Sequence, residues 1–484
     1  MQKSKFIQSL YQIVAKTSVL ADDEELHPYE CDGLSAYKFI PWLVVLPDTI
    51  EQIEKIVKLC YKNEIPIIAR GAGTGLSGGA LPQENCLILS LAKLNKILNV
   101  DPVTRTAQVQ PGVRNLAISD AAKPFGLYYA PDPSSQIACS IGGNVAENAG
   151  GVHCLKYGLT VHNILEVKII TVEGELITLG GQSLDAAGYD LLALITGSEG
   201  LLGIIVDITV KLLPSPEIAQ VLLAAFDNVL DAGKTVGDII ANGIIPAGLE
   251  MMDKLAIKAA EDFAHAGYPK DAAAILLCEI DGTKEEVEQN ILSVQKIVKS
   301  NNATLIRISK DEQERVLIWQ GRKSAFPAVG RLAPDYYCMD GTIPKKCLPD
   351  ILDAINKLSD QYQLPVANVF HAGDGNLHPL ILYDANIDGE LHRTEEFGAK
   401  ILELCVKMGG TITGEHGVGI EKIDQMCVQF KSLELQQFHA IKSAFDKKTL
   451  LNPGKAVPTL HRCAELGGMH VHDGVLPHPE LDRF

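Results

Sequence analysis

The residues with the clearest chemical potential are two histidines in Phe370-His371-Ala-Gly-Asp-Gly-Asn-Leu-His378. The Asp374-Gly375 pair inside this segment is a strong signal for a two-residue hairpin turn. If these two residues form the turn, His371 lies directly opposite His378 on the neighbouring strand. Opposed residues have Cβ atoms roughly 5 Å apart, a separation from which two imidazoles can share one metal ion. A different turn register would undo this pairing.

A second segment offers a carboxylate beside a third imidazole. Thr413-Gly-Glu415-His416-Gly-Val-Gly is rich in glycine and can therefore approach a ligand closely. Neighbouring side chains diverge, so one of the two could ligate a metal while the other faces a substrate. Buried structural histidines are the alternative, but the paired spacing favours a metal site. We predict a site of His371, His378 and Glu415 with open positions, suited to Zn, Mn or Fe(II).

A glycine-rich loop earlier in the chain could bind a pyrophosphate. Arg70-Gly-Ala-Gly-Thr-Gly-Leu-Ser-Gly-Gly79 directly follows a predicted strand at 65–70. Glycine reaches positive φ freely, so such a loop can turn successive N–H groups inward, helped by hydroxyls. Flexible linkers rarely follow an apolar strand in this way. A nicotinamide-type site is disfavoured, because it needs a helix after the glycines and here a strand is predicted at 86–91.

Two further segments have the composition of a cofactor site. The first, Pro131 to Gly151, combines paired glycines with Asn144 and Asn148, whose amides offer the donor and acceptor that a flavin pyrimidine edge demands. The second, Gly197-Ser-Glu-Gly-Leu-Leu-Gly203, leads into an apolar strand predicted at 204–213. The backbone of that strand could border an adenine or flavin ring.

The elements that must position these motifs fall into two predicted units. Thr49 and Gln52 form a capping-box signal for a helix over 49–63, and Pro214 and Pro216 mark a break, so we place a boundary near residue 217. Beyond it, strand-like segments near 219–226, 273–280, 303–308, 335–343, 366–371 and 377–383 alternate with helical patterns near 284–299, 346–361 and 393–408. This predicts an α+β domain with an antiparallel sheet. The predicted ranges are an N-terminal docking helix region (1–37), two domains (38–217 and 218–458) and a C-terminal tail (459–484).

Together and in this order, the three glycine-rich segments resemble the FAD-binding domain of the vanillyl-alcohol-oxidase type, also called the PCMH type, over about residues 38–217. The resemblance implies that the first loop binds the FAD pyrophosphate and that 131–151 lines the flavin. Members that attach flavin covalently often carry a His in the glycine loop, which is absent here, so non-covalent FAD is expected. The implied cofactor-binding residues are Arg70, Gly71, Gly73, Thr74, Gly75, Ser77, Gly78, Gly79, Pro131, Asp132, Gly142, Gly143, Asn144, Asn148, Gly150, Ile204 and Ile205.

The later motifs resemble the FAD-linked oxidase C-terminal domain of the D-2-hydroxyacid dehydrogenases. Stretches at 319–331, 336–344 and 451–455 are similar to those of the glycolate-oxidising flavoprotein subunits within that family. The resemblance implies that His416 is the base, that Arg322 binds the substrate carboxylate and that Asn452 approaches the flavin. It also implies that His371, His378 and Glu415 are the metal ligands.

The implied reaction removes the hydroxyl proton of a 2-hydroxy acid while its α-hydrogen leaves as hydride to flavin N5. Relatives that act on dicarboxylates tend to have Lys where Cys338 lies and a polar residue near Leu380, so a short monocarboxylate, glycolate before D-lactate, is expected. The alternatives are a D-lactate dehydrogenase linked to cytochrome or quinone, a metal-dependent hydrolase, and a flavin-binding scaffold subunit without chemistry.

Composition limits the partners of the 484-residue chain. Its 43 Lys and Arg against 60 Asp and Glu give a net charge of −17, which disfavours nucleic acid as a partner. It has no apolar run long enough to predict a membrane span, and its eleven cysteines include no Cys-x-x-Cys, so an iron–sulfur cluster is not indicated. We expect a cytoplasmic location. The resemblance implies that electrons leave through a second flavoprotein subunit and an iron–sulfur subunit, which could hold the chain at the inner membrane.

Overall fold

The computed structural model describes residues 2–183 and 187–459. It is an α+β structure with three smaller sheets before residue 215 and one large antiparallel sheet after it, in agreement with the predicted fold class. Almost all of the predicted C-terminal tail lies outside the described residues. Within the described ranges, no helix is both long and apolar enough to cross a membrane.

The first sheet has four strands in the order β1-β2-β4-β3, of which β2, β4 and β3 run parallel. Helix α3 covers it and is capped by Thr49, whose hydroxyl accepts the Gln52 N–H at 3.3 Å, as the capping signal predicted. The predicted N-terminal docking helix packs on the same core, because Phe6 and Leu10 of α1 are fully buried there. The strands are β1 (Val19–Leu20), β2 (Leu43–Val45), β3 (Ile67–Arg70) and β4 (Leu87–Ser90).

The second sheet has five antiparallel strands in the order β5-β6-β10-β8-β9. Its central strand β10 is buried along all but its last residue, which explains the continuous apolar sequence of that segment. A short pair, β7 with β11, lies beside it. The strands are β5 (Ile97–Asp101), β6 (Thr106–Val109), β7 (Leu127–Tyr128), β8 (Ile164–Ile170), β9 (Leu176–Gly180), β10 (Ile204–Lys211) and β11 (Leu213–Pro214).

The large sheet has seven antiparallel strands in the order β15-β12-β14-β13-β17-β18-β16. The strand-like segments predicted after residue 217 are confirmed, except that the one near 335–343 ends at Cys338. Strand β13 was not predicted, and it lies at the centre of the sheet. The strands are β12 (Ile218–Phe226), β13 (Gly248–Asp253), β14 (Ala274–Gly282), β15 (Leu305–Ile308), β16 (Asp335–Cys338), β17 (Val366–Phe370) and β18 (Pro379–Tyr383).

Helices pack on both faces of the large sheet and against the four- and five-stranded sheets. The predicted helices at 284–299, 346–361 and 393–408 correspond to α11, α14 and α15. The α-helices are α1 (Lys3–Leu10), α2 (Asp23–Leu26), α3 (Ile50–Asn63), α4 (Asn115–Ala122), α5 (Ile141–Glu147), α6 (Cys154–Tyr157), α7 (Thr160–Asn163), α8 (Leu191–Ile195), α9 (Val229–Ala241), α10 (Lys254–Ala264), α11 (Lys284–Ser300), α12 (Glu312–Lys323), α13 (Ala325–Val329), α14 (Leu348–Tyr362), α15 (Glu390–Lys407), α16 (Met426–Gln429) and α17 (Ser432–Phe445).

Candidate active site

One cavity of about 530 Å³ joins the glycine-rich segments to the histidine cluster. The glycine loop and residues 133–150 form one wall, and the side chains of His378, Glu415 and His416 lie on the other. Lys323, Phe326 and Pro327, at the end of α12 and in α13, complete the lining. The two groups of motifs recognised in the sequence therefore face a common space.

The glycine loop after β3 depends on glycine at Gly73 and Gly78, where φ is +70° and +75°. A Cβ at Gly73 would lie 2.3 Å from Nη2 of Arg70. Arg70 itself is fixed, because its Nη1 donates to the Cys31 carbonyl at 2.7 Å. A side chain at Gly73 would meet both backbone strain and this anchored guanidinium.

The predicted cofactor-binding residues divide into those that line the cavity and those that support its wall. Ser77, Gly78, Pro131, Asp132, Asn148, Ile204 and Asn452 are outside the lining. The ones in the lining are Arg70, Gly71, Gly73, Thr74, Gly75, Gly79, Gly142, Gly143, Asn144, Gly150 and Ile205. Their direct contact with a cofactor stays a prediction.

The residues outside the lining make contacts that hold the wall together. Nδ2 of Asn452 donates to the Gly79 carbonyl at 3.0 Å and to the Glu199 carbonyl at 2.7 Å, which ties the glycine loop to the 197–203 segment. Asp132 Oδ2 lies 2.8 Å from Nδ1 of His153, and Asn148 Oδ1 accepts the Val161 N–H at 2.9 Å. These contacts give the residues a supporting place in the structure.

The cavity wall fits a phosphate-containing cofactor. Oγ of Ser140, at the start of α5, is buried on this wall without a hydrogen-bond partner among the described residues. A Cβ at Gly71 would lie 2.3 Å from that oxygen, so glycine keeps the hydroxyl clear. The amide of Asn144 is less free to hydrogen-bond a flavin than the sequence suggested. Asn115 donates to its Oδ1 at 3.1 Å, and its Nδ2 faces Cys139 Sγ.

The structure corrects the predicted register of the histidine hairpin between β17 and β18. The N–H of His371 donates to the Asn376 carbonyl at 3.0 Å, so His371 pairs with Asn376 and not with His378. The turn spans residues 372–375. Neighbouring segments explain this wider turn, because Gly373 N–H donates to the Leu249 carbonyl and Gly375 O accepts the Ile343 N–H. A two-residue turn would lose these bonds.

The two imidazoles nevertheless meet, as diagonal neighbours on one face of the hairpin. The ring centroids of His371 and His378 are 5.0 Å apart, with their planes at 87°. Glu415 Oε1 lies 2.8 Å from Nε2 of His378 and 3.4 Å from Nε2 of His371. One ligand atom from each of these three residues lies within 4.8 Å of the others, which is close enough for one metal ion.

The other nitrogen of each imidazole faces an acceptor, as in protein metal sites. His371 Nδ1 lies 2.9 Å from Glu250 Oε1, and His378 Nδ1 lies 3.3 Å from the Met339 carbonyl. Binding of a metal ion at Nε2 of His378 would require the tautomer with the proton on Nδ1, which the Met339 carbonyl can accept. This donor set of two imidazoles and a carboxylate fits a divalent transition metal.

Arg322, the predicted carboxylate-binding residue, lies behind this cluster. Its side chain is 1% exposed, and Nη2 forms an ion pair with Glu250 Oε2 at 2.6 Å. Burial acts to raise the pKa of Glu250, but His371 and Arg322 outweigh it and hold that pKa below its usual value. Arg322 is outside the cavity lining, whereas the next residue, Lys323, is part of it.

Two buried carboxylates hold the loop that carries Glu415 and His416. Asp340, just after β16, accepts the N–H groups of Gly414, Glu415 and His416 at 3.0, 3.2 and 2.9 Å. Glu199 lies on the wall that carries the glycine loop, which we call the cofactor wall. Its carboxylate accepts the N–H groups of residues 418 and 419, both at 2.7 Å. The loop is therefore fixed at both ends, one from each side of the cavity.

His416 is placed to act as a base. Its ring stacks on His378 with centroids 4.9 Å apart and planes at 9°. Burial lowers the pKa of His416 to about 4, against the opposing charge of Asp340. The imidazole is consequently neutral at pH 7 and able to accept a proton. The expectation that Glu415 and His416 diverge is only partly met, since both reach His378.

The comparisons with known proteins agree with this architecture. Residues 41–180 match the FAD binding domain family, and residues 215–456 match the C-terminal domain of the FAD linked oxidases. The glycolate oxidase subunit GlcD of Escherichia coli (strain K12) is 63% identical over 482 residues, covering 100% of this chain and 97% of that protein. The chain belongs to the FAD-linked oxidase family.

Two further proteins resemble the chain at lower identity. A D-lactate dehydrogenase from Anaerostipes hadrus is 31% identical, covering 92% of this chain and 96% of that protein. Among solved structures, p-cresol methylhydroxylase with substrate bound has a TM-score of 0.79 at 20% identity, covering 94% of this chain and 97% of that one. This last likeness confirms the PCMH-type fold, and the family makes the chain an FAD-dependent oxidoreductase.

Several functional positions were missed from the sequence. Glu250 lies on the unpredicted strand β13, where Pro246 and Gly248 obscured the strand pattern. Asp340 and Glu199 fell inside stretches already recognised as similar to the family, and a lone acid after an apolar strand could have drawn attention to Asp340. Ser140 gave no local signal, because its role depends on Gly71 lying opposite.

Proposed function

We propose that this chain oxidises a short 2-hydroxy acid, glycolate to glyoxylate, with FAD as electron acceptor. The observation that carries the proposal is that the neutral imidazole of His416 and two of the three candidate metal ligands, His378 and Glu415, line the same cavity as the FAD-type glycine wall. The high identity to a glycolate oxidase subunit supports glycolate over D-lactate. Bound FAD would supply a two-electron acceptor for the hydride that leaves the α-carbon.

The chain's own residues divide the remaining work. His371, His378 and Glu415 would hold a divalent ion whose positive charge favours the deprotonated hydroxyl of the substrate. His416 accepts the hydroxyl proton on a ring nitrogen, and the stacked His378 limits the tilt of its ring. Each acid oxidised would thus give one proton to His416 and one hydride, for which bound FAD would be the acceptor.

The substrate carboxylate is assigned to Arg322. Its Nε is buried without a hydrogen-bond partner among the described residues, so a donor remains after the ion pair with Glu250. Cys338 and Leu380 face each other across β16 and β18 and offer no charge to a second carboxylate. This supports a short monocarboxylate, because a buried, unpaired distal charge is costly.

The relatives also support a hetero-complex, since the Escherichia coli relative is itself named a subunit. We assign the acceptors of the reduced flavin to a second flavoprotein subunit and an iron–sulfur subunit. In this proposal the chain works in the cytoplasm and reaches the inner membrane through those partners. Copurification of the chain with both subunits tests this assignment.

An anaerobic absorbance titration tests the function. FAD-loaded protein is mixed with glycolate, D-lactate or L-lactate, before and after treatment with a chelator. We expect glycolate to bleach the flavin fastest, and chelation to abolish bleaching until the metal is restored. Faster bleaching by D-lactate would favour a D-lactate dehydrogenase, and no bleaching by any of the three acids would contradict the proposal and reopen a metal-dependent hydrolase.

His416→Ala provides the matching variant. Loss of the base is expected to slow flavin reduction by at least about a hundredfold, while bound FAD and metal stay at wild-type levels. His392→Ala, at a histidine whose side chain is 75% exposed on α15, is the control and should behave as wild type. Normal reduction by His416→Ala would remove His416 from the mechanism.

A further inference from the structure

A second possible metal-ligand set overlaps the first and contains the base. Cys338, His378 and His416 each present one ligand atom, and these atoms lie within 4.8 Å of one another. His378 belongs to both sets. Cys338 ends β16, directly opposite Leu380, and its side chain is almost fully buried.

The two sets differ in the kind of ion that they favour. The set with Glu415 has a carboxylate oxygen, whereas the set with Cys338 has sulfur and two imidazoles. Sulfur with imidazole nitrogens is a donor set typical of Zn²⁺ and other thiophilic ions. Hard ions such as Mn²⁺ prefer oxygen, so the chemistry of the ion decides between the two positions.

A second observation also supports His416 as a ligand of an ion. Its Nδ1 is buried and has no hydrogen-bond partner among the described residues. Metal-ligating histidines elsewhere in the cluster have their other nitrogen satisfied, as His371 does through Glu250. No hydrogen bond to a described residue therefore has to be broken for Nδ1 of His416 to bind an ion.

We propose that Cys338, His378 and His416 form an inhibitory site for thiophilic divalent cations such as Cd²⁺ and excess Zn²⁺. Binding forms one sulfur–metal and two nitrogen–metal bonds, and the thiol proton leaves to solvent. An ion held there occupies the ring of His416, so the base of the proposed reaction is blocked. The effect on turnover rests on the proposed function, but the binding itself does not.

The test is a titration of FAD-loaded enzyme with Cd²⁺, followed by two readouts. The first is the ultraviolet charge-transfer band of a cadmium thiolate, and the second is the rate of flavin reduction by glycolate. We expect band and inhibition to rise together in the wild type, and a dithiol chelator followed by Mn²⁺ to reverse both. Absence of the band would overturn the proposal, whether or not the protein oxidises glycolate.

Cys338→Ser and Cys338→Ala remove the sulfur ligand, and each variant's inhibition is compared with its own uninhibited rate. We expect the band to disappear and the Cd²⁺ concentration for half inhibition to rise more than about tenfold. Cys278→Ser is the control, because Cys278 is a buried thiol of the same sheet on β14. It should keep both band and inhibition. Unchanged inhibition in both Cys338 variants would instead place the ion at the His371, His378 and Glu415 set.

Discussion

The two walls of the cavity differ in whether backbone or side-chain groups form them. The cofactor wall is mostly backbone, with glycines that let N–H groups and carbonyls approach a ligand. The opposite wall is made of side chains, whose positions are set by buried carboxylates such as Glu250 and Asp340. A backbone wall tolerates little added volume, whereas a side-chain wall tolerates little loss of charge. The variants below test this contrast.

Asp340→Asn is expected to have the largest effect. The carboxylate of Asp340 is fully buried, accepts three consecutive N–H groups and pairs with Lys422 at 3.3 Å. Lys422 keeps a second partner, Glu421 Oε2 at 3.2 Å, so the expected cost is that of three N–H groups losing a charged acceptor, about 2–3 kcal/mol. We expect this loss in urea unfolding, together with slow flavin reduction but retained FAD.

The control for Asp340→Asn is Asp335→Asn. Asp335 lies on the same strand, β16, and accepts the Ala385 N–H at 2.9 Å near the surface. Its replacement should cost less than about 1 kcal/mol and leave reduction unchanged. If Asp340→Asn reduced its flavin at the wild-type rate, the loop of His416 would not depend on this carboxylate.

Gly150→Ala should have the next largest effect, and it acts across the cavity. A Cβ at Gly150 would lie 2.4 Å from Oε2 of Glu415, so the backbone wall would push on a predicted metal ligand. We expect metal affinity to fall about 10–100-fold, as when a ligand's supporting contact is disturbed, with FAD still bound. Metal content after dialysis against a chelator measures this.

Gly73→Ala is the matched comparison for Gly150→Ala. The added methyl group strains the glycine loop and pushes on Arg70. About 1–2 kcal/mol of backbone strain should lower FAD affinity about tenfold. Metal affinity should stay normal. The contrast between the two walls would fail if both glycine variants lost the same ligand.

The contrast also explains what the sequence could predict. The glycine wall was recognised because its residues are contiguous and follow β3 directly, so composition and order carried the signal. The meeting of His371 and His378 was predicted correctly, although through the wrong register. The register depends on contacts with Leu249 in β13 and with Ile343 in the loop after β16, which cannot be read from the hairpin alone.

The carboxylates that hold the histidine cluster in place could not be predicted either, because they come from distant parts of the chain. Glu250 in β13 and Asp340 just after β16 are single acids 90 residues apart in the numbering. Only the order of strands in the large sheet brings β13 beside β17 and places the end of β16 beside β18. Burying a carboxylate is unfavourable in itself, so local patterns argue against such positions until the partners are known.

The smallest expected effect is on stability and comes from His153, whose ion pairs join the cofactor wall to the large sheet. His153 lies between Asp132 of the cofactor wall, at 2.8 Å, and Glu279 of the large sheet, at 3.2 Å. Burial acts to lower the pKa of His153, but the two carboxylates outweigh it and raise the pKa to about 10. Arg315 holds Glu279 from the other side at 2.7 Å.

A raised histidine pKa stabilises the folded state fully at pH values below the unfolded pKa of about 6.5. That stability is lost as the pH rises towards about 10. Because the His153 side chain is 24% exposed and partly screened, we expect a loss of about 1–2 kcal/mol between pH 7 and pH 9.5. Urea unfolding at the two pH values measures it in the wild type and in His153→Gln, which should lack this part of the pH dependence.

His392→Gln, at an exposed histidine, serves as the control and should keep the wild-type pH dependence. Other groups titrate over the same interval, so the contribution of His153 is the difference between the pH dependence of the unfolding free energy in the wild type and that in His153→Gln. An identical pH dependence in the two proteins would mean that His153 is neutral in the folded state. The link between the cofactor wall and the large sheet would then rest on hydrogen bonds and not on charge.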